Sequence, residues 1–248
     1  MTPEDQEQPL VDHLTELRKC LIRSIILIAI GFAISWMYTD QIFDLLRQPI
    51  SPFLKTDSGG LIFTAPMDKF MAHIKVALFS GFIISSPFWM HQLWLFISPA
   101  LYKEERKYGV AFILFGTFLF LTGVSFVYFV VYPLAFEFLM TFGGDKDTPM
   151  IKIDEYLSFI TTTTLVFGLT FEMPLILAVL GRLGIVSSDM LKASRRYTIV
   201  IIALVSAIVT PPDLISQILL IIPLYLLFEF SIYLVKAIEK KQNLEQSE

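Results

Sequence analysis

The run VALFSGFIISSPFWMHQLWLFISPALYKEERK, residues 76–107, decides how the chain is read. Residues 76–97 contain no Asp, Glu, Lys or Arg. A helix needs about 20 such residues to cross a hydrocarbon core roughly 30 Å thick. The run then meets Ser98-Pro99 and the cluster Lys103, Glu104, Glu105, Arg106 and Lys107. Carboxylates set among cations at a bilayer boundary point to recognition of a cationic partner.

The rest of the chain has the same character. Hydrophobic residues make up 55% of the 248 and aromatic residues 14%, and the mean hydropathy is +0.67. Charges gather in short clusters between apolar runs, which predicts an all-α membrane protein with six transmembrane helices at about 21–38, 76–97, 108–136, 156–181, 197–210 and 214–235. In the first, Arg23 extends its guanidinium to the interface while its stem stays apolar. The fifth ends at Pro211-Pro212, and at about 1.5 Å per residue it is only ~20 Å long. The fifth and sixth are therefore expected to be short. Pro87, Pro133, Pro174 and Pro223 interrupt the apolar runs, and each removes a backbone donor, so the spans are kinked and form a concave bundle.

Lys and Arg are retained on the cytoplasmic side of a membrane. In the six-span arrangement one side holds Arg18, Lys19, Arg23, Lys103, Arg106, Lys107, Arg182, Lys192, Arg195, Arg196, Lys236, Lys240 and Lys241, thirteen of the 19 cations. Both termini are expected there, in the cytoplasm. The N-terminus carries Glu4, Asp5 and Glu7, and no small-residue cleavage site follows the first apolar run, so it does not read as a removable leader. No soluble domain, repeat or low-complexity tract divides residues 1–248, which read as one polytopic domain. Residues 40–47 predict a short interfacial helix in the first outer loop.

The chemistry-bearing patterns are few. There is no phosphate-binding Gly-rich loop, His-Glu-x-x-His or Gly-x-Ser-x-Gly, and His13, His73 and His91 are scattered. A single cysteine, Cys20, excludes an internal disulfide and a cysteine metal cluster. The sequence predicts no enzyme, no cofactor, no metal and no nucleic-acid partner.

Individual acids carry more information. Leu10, Leu14, Leu17 and Leu21 fall on one stripe of an N-terminal helix, with Asp12, Glu16, Lys19 and Arg23 opposite. Charge patterning leaves Glu16 two readings, a pair with Lys19 on a solvated surface or a partner contact. Glu105, flanked by Lys103, Arg106 and Lys107, divides the same way between neutralising them and binding something else. Glu172 differs, because a lone ionisable group within an apolar span is costly and faces protein or water; this favours a functional or partner-binding role. Asp213 is placed to cap the sixth helix. Gln217, in the first turn of that helix, is placed to hydrogen-bond a neighbouring span.

Five segments in order resemble the TatC family, the multispanning subunit of the twin-arginine protein translocase. They are His13-Leu14-Thr15-Glu16-Leu17-Arg18, Ser86-Pro87 with Gln92-Leu93-Trp94, Phe96 to Tyr102 through Glu105-Arg106, Phe171-Glu172-Met173-Pro174, and Thr210-Pro211-Pro212-Asp213 with Gln217. The resemblance implies a receptor in the bacterial cytoplasmic (inner) membrane that binds twin-arginine signal peptides of folded precursors. It also implies an oligomeric complex with the single-span subunits TatA and TatB, driven by the proton-motive force. By the same resemblance Glu16 and Glu105 contact the arginine pair, with Leu17, Arg18, Phe96 and Leu101 shaping the surrounding patch. Pro49, Glu172, Asp213 and Gln217 would serve partner contact or translocation. The alternative is a small-solute secondary transporter using Glu172 as a proton or ion site; it would favour paired inverted repeats, which the chain lacks.

Overall fold

The computed structural model describes residues 10–54, 60–100, 109–142, 150–209 and 214–245. In chain order the helices are α1 (Leu10–Trp36), α2 (Thr39–Arg47), α3 (Asp68–Ile84), α4 (Ser86–Ile97), α5 (Gly109–Phe126), α6 (Tyr132–Thr141), α7 (Ile153–Phe171), α8 (Met173–Arg182), α9 (Ser188–Val209) and α10 (Leu214–Glu245). Single 3-10 turns lie at Ser51–Phe53 and Ser98–Ala100, and a π-helical segment at Val127–Val131 joins α5 to α6. Two short strands, β1 (Leu61–Ile62) and β2 (Ile151–Lys152), pair in parallel with Leu61 opposite Ile151. The chain divides into two compact units whose boundaries fall between α1 and α2, within α3 and within α5.

The first unit comprises residues 1–37 and 77–117. Its helices approach closely because two glycines face each other. A Cβ on Gly31 would sit 2.5 Å from the Gly81 carbonyl oxygen, and one on Gly81 would sit 2.5 Å from the Phe32 nitrogen. Small residues at such crossings bring backbones into contact, and in lipid this close packing takes the place of hydrophobic burial as a source of association. One turn later the chain bends by 56° between α3 and α4, at Pro87. In hydrocarbon a carbonyl freed by such a break needs a donor. Phe82 O receives two, from Ser85 Oγ at 3.1 Å and from the Trp89 indole at 3.2 Å, while the Phe82 and Trp89 rings stack at 5.2 Å.

The second unit comprises residues 38–76 and 118–248. A helix leaves its last carbonyls unpaired, and two tyrosines serve those of α2. Tyr128 Oη donates to Leu45 O at 2.8 Å, and Tyr156 Oη donates to Leu46 O. Further ties run from Lys75 to Asp154 and from His73 to Asp40 at 3.1 Å. Below them Tyr132, Phe136, Tyr156 and Phe159 form a ring cluster, with Tyr132 Oη donating to Ile160 O at 2.6 Å and sharing a hydrogen bond with Thr164 Oγ1. Leu191, Phe228, Ile232 and Val235 make a second core cluster against Met173, Leu177, Val186 and Tyr225.

Three of the four interrupting prolines stand at element boundaries, and the fourth lies within a continuous helix. Pro87 starts α4, Pro133 follows the π segment, Pro174 starts α8, and Pro223 lies inside α10. Among the described residues three single helices are long and apolar enough to cross a membrane, Gly109–Thr141, Ile153–Arg182 and Gln217–Gln242, and the number is up to five if each of two bent pairs is one span. The expected fifth span, α9, falls short of that length-and-composition standard. It runs 22 residues, but its first three turns hold Asp189, Lys192, Arg195 and Arg196, and it is apolar only from Tyr197 onward. The expectation of a short sixth helix is corrected, since α10 extends for 32 residues. Pro223 does not end it, and its charged last turns continue beyond the apolar run. The expected helix at 40–47 is present as α2.

Replacing Gly81 by Leu should force α1 and α3 apart at a cost of about 1–3 kcal/mol, the usual range for overpacking. Thermal unfolding in detergent should register this as a midpoint several degrees lower. A midpoint equal to that of the parent protein would mean that the helices do not cross this closely.

Candidate functional site

Three carboxylates in apolar surroundings have different fates. Glu16 lies in the second turn of α1, half-buried, and its Oε2 is shielded without a hydrogen-bond partner. Of the leucine stripe predicted on this helix, Leu14 and Leu21 are 61% and 54% exposed and Leu17 is half-buried. Of the described residues on the opposite stripe only Glu16 is half-buried, Lys19 and Arg23 being exposed. The solvated-surface reading of Glu16 therefore does not describe its Oε2. Leu17 is half-buried beside it, Arg18 is exposed, and Phe96 is half-buried at the end of α4, which packs on α1 in the same unit.

Glu172 occupies the joint between α7 and α8, where Pro174 cannot donate a hydrogen bond. It is only 4% exposed. Its carboxyl group is hydrogen-bonded to the backbone of Phe120, while Oε1 has no partner. Space for this arrangement comes from a glycine on each helix. A Cβ on Gly123 would press on Phe167 O and the Phe171 ring, and one on Gly168 would press on the Phe120 ring.

Glu229, on α10, is the opposite case. Arg195 on α9 donates to its Oε2 at 2.7 Å, and Tyr225 donates to its Oε1 at 2.7 Å. The principle that singles out Glu172 applies equally to Glu229, the other lone acid in a long apolar run, and that signal was available in the sequence. What the sequence did not reveal is that Arg195, 34 residues away, neutralises it. Exposed charges at the start of α9 also pair, with Lys192 donating to Asp189 at 2.8 Å and holding that carboxyl below the usual carboxylate range.

Gln217 is half-buried on α10 and its Nε2 donates to Ala203 O of α9 at 3.1 Å, a bond between neighbouring helices. Pro49 is half-buried between α2 and the Ser51–Phe53 turn, next to the fully buried Ile50. Leu101, Glu105 and Asp213 lie outside the described residues. Glu16, Leu17, Arg18 and Phe96 thus share the first unit, and Pro49, Glu172 and Gln217 the second. Among the described residues, no group of His, Cys, Asp and Glu could hold a metal ion.

The long apolar helices and their buried acids define a multi-pass helical membrane protein. The profile of the family described as Sec-independent protein translocase protein (TatC) matches residues 12–223. A protein of that name from Aquifex aeolicus is 40% identical over 243 residues, covering 96% of this chain and 100% of its own length. Another from Desulforapulum autotrophicum is 36% identical over 248 residues, covering 100% of this chain and 92% of its own. A crystal structure described as that of the twin arginine translocase receptor TatC superposes with a TM-score of 0.83 at 39% identity, covering 92% of this chain and 99% of that one. The chain belongs to the TatC family of protein translocase components, which are transport subunits and not enzymes.

The contrast between the two acids is measurable. Glu229→Gln should lower stability by about 1 kcal/mol, because it strips the charge partner from a half-exposed Arg195. Glu172→Gln should leave stability unchanged or raise it, since no cation is lost and less charge is buried. Thermal unfolding of the two variants side by side checks this, and the reverse ranking would contradict the assignment of partners.

Proposed function

We propose that this chain is the receptor subunit of a twin-arginine translocation system in the bacterial cytoplasmic membrane, with both termini in the cytoplasm. The observation that carries the reading is the shielded, unpartnered Oε2 of Glu16 on α1, in a chain of this family. A buried acceptor left without a donor costs about 1–3 kcal/mol, and an arriving guanidinium would supply one. Arginine presents a planar fork of donors that a carboxylate accepts through two parallel bonds, whereas lysine is a point charge. Glu16 and Glu105 are the proposed contacts for the arginine pair. Leu17, Arg18, Phe96 and Leu101 form the patch around them.

The same proposal gives Glu172, Gln217, Asp213 and Pro49 to assembly and transport, with TatA and TatB as partners and the proton-motive force acting on the assembled complex. Glu172 supports this because its Oε1 is buried without a partner and so can accept a donor from a partner helix. No observation favours a small-solute transporter.

Glu16→Gln and Glu105→Gln should each weaken binding of a twin-arginine peptide by about 1.5–3 kcal/mol, the range for hydrogen bonds to charged groups. A direct titration of the reconstituted protein with labelled peptide measures this, and unchanged affinity in both variants would remove the carboxylates from the site. Glu172→Ala should leave that affinity intact while reducing recovery of TatB or TatA with the purified chain. Loss of peptide binding with normal assembly would contradict the division of labour.

A further inference from the structure

Among the described residues of the first unit, two buried oxygens of carboxylate or amide type have no donor, Oε2 of Glu16 and Oε1 of Gln92. Gln92 is 9% exposed in the middle of α4, inside an apolar run, and its Nε2 donates to Nδ1 of the adjacent His91 at 3.4 Å. Gln92 precedes Phe96 by four residues, so the two share one face of α4. On α1 the half-buried Glu16 and Cys20 share a face in the same way. The close contact of Gly31 with Gly81 sets the level of the helices. Glu16 lies fifteen residues before Gly31 and Phe96 fifteen after Gly81, whereas Cys20 and Gln92 are each eleven away. With α1 packed on α4, the Gln92 amide lies about 6 Å, one helical turn, farther into the apolar part than the level of Glu16 and Phe96.

We propose that Gln92 Oε1 is a further acceptor of the peptide site and takes a main-chain N–H of the bound peptide. The inference rests on the recognition of an arginine-bearing peptide by Glu16 proposed above. Depth and charge choose the donor. A guanidinium is costly away from the interface, whereas each main-chain N–H that leaves water for apolar surroundings needs an acceptor there. A neutral amide oxygen without a donor and a neutral N–H without an acceptor satisfy each other and bury no net charge. An extended chain advances about 3.3 Å per residue, so a step of about 6 Å places this N–H about two residues from the arginine held at Glu16. Every residue but proline carries such an N–H. The contact therefore fixes the position of the peptide without reading its sequence there.

The test is a binding titration of the full reconstituted chain with an Arg-Arg peptide and with copies of it N-methylated at one main-chain nitrogen at a time on either side of the pair. Gln92→Leu should weaken binding of the unmodified peptide by about three- to tenfold, the range of one neutral hydrogen bond. Its thermal midpoint should equal or exceed that of the parent protein, because an unpaired acceptor is removed. N-methylation about two residues from the pair should weaken binding to the parent by a similar factor and have no effect in Gln92→Leu. Gln92→Glu, which keeps an acceptor at the position, should retain the sensitivity to that methyl group. Parental affinity in Gln92→Leu, or losses that multiply at every methylated position, overturns the proposal. So does a loss of binding that comes with a lower midpoint, which would make Gln92 a packing residue. Unchanged affinity in both Glu16→Gln and Glu105→Gln would remove the recognition by acids and this inference with it, whereas weakened binding in those variants beside an unaltered Gln92→Leu removes Gln92 alone.

Discussion

A hydrocarbon solvent offers no hydrogen bonds, so each place where the backbone breaks within it must be satisfied from inside the protein. That constraint organises this structure. At the α3–α4 bend, Ser85 and Trp89 both donate to Phe82 O. At the end of the interfacial α2, the hydroxyls of Tyr128 and Tyr156 likewise donate to Leu45 O and Leu46 O. Outside the apolar spans the same device recurs: Gln242 donates to Arg182 O at 2.8 Å where α8 ends, and Glu239 accepts from the Ser188 amide at 2.8 Å where α9 begins. Breaks that would be weak points become fixed corners.

With the corners satisfied locally, an acid left incomplete in the interior stands out. Glu229 has an arginine and a tyrosine and holds α9 to α10. Glu16 and Glu172 each keep a shielded oxygen with no donor. Within a single chain such an oxygen is a standing cost, and it becomes a gain only when something else brings the donor. The two incomplete acids belong to different compact units, one including α1 and α4 and the other including α7 to α10. This separation fits the proposed division between peptide recognition and partner assembly.

Much of this was legible in the sequence because the bilayer makes patterns simple. Apolar runs became helices, and Pro87, Pro133 and Pro174 fell at helix starts, whereas Pro223 lies within a continuous helix. The short apolar length of α9 followed from Pro211-Pro212 and the charges before Tyr197. Three features were not legible, each for a physical reason. Periodicity located the leucine stripe of α1 but could not say which of its members are exposed, as Leu14 and Leu21 are, and which half-buried, as Leu17 is. The apolar count ended the sixth span at residue 235, whereas α10 continues as a charged helix to Glu245. Long-range pairs such as Arg195 with Glu229, Tyr156 with Leu46 and Lys75 with Asp154 depend on which helices meet, and no local pattern encodes that. The family resemblance supplied the roles of Pro49, Phe96 and Leu101, which no charge or spacing argument would have selected.

The central proposal is that carboxylates of this chain read the forked geometry of arginine and not positive charge alone. Equilibrium binding of two signal peptides, identical except for an Arg-Arg or Lys-Lys pair, to the reconstituted chain tests it most directly. Binding of the Arg-Arg peptide tighter by at least about tenfold, a difference of ~1.4 kcal/mol, is the predicted result. Equal affinity for the two peptides would contradict it and leave only a general attraction between opposite charges.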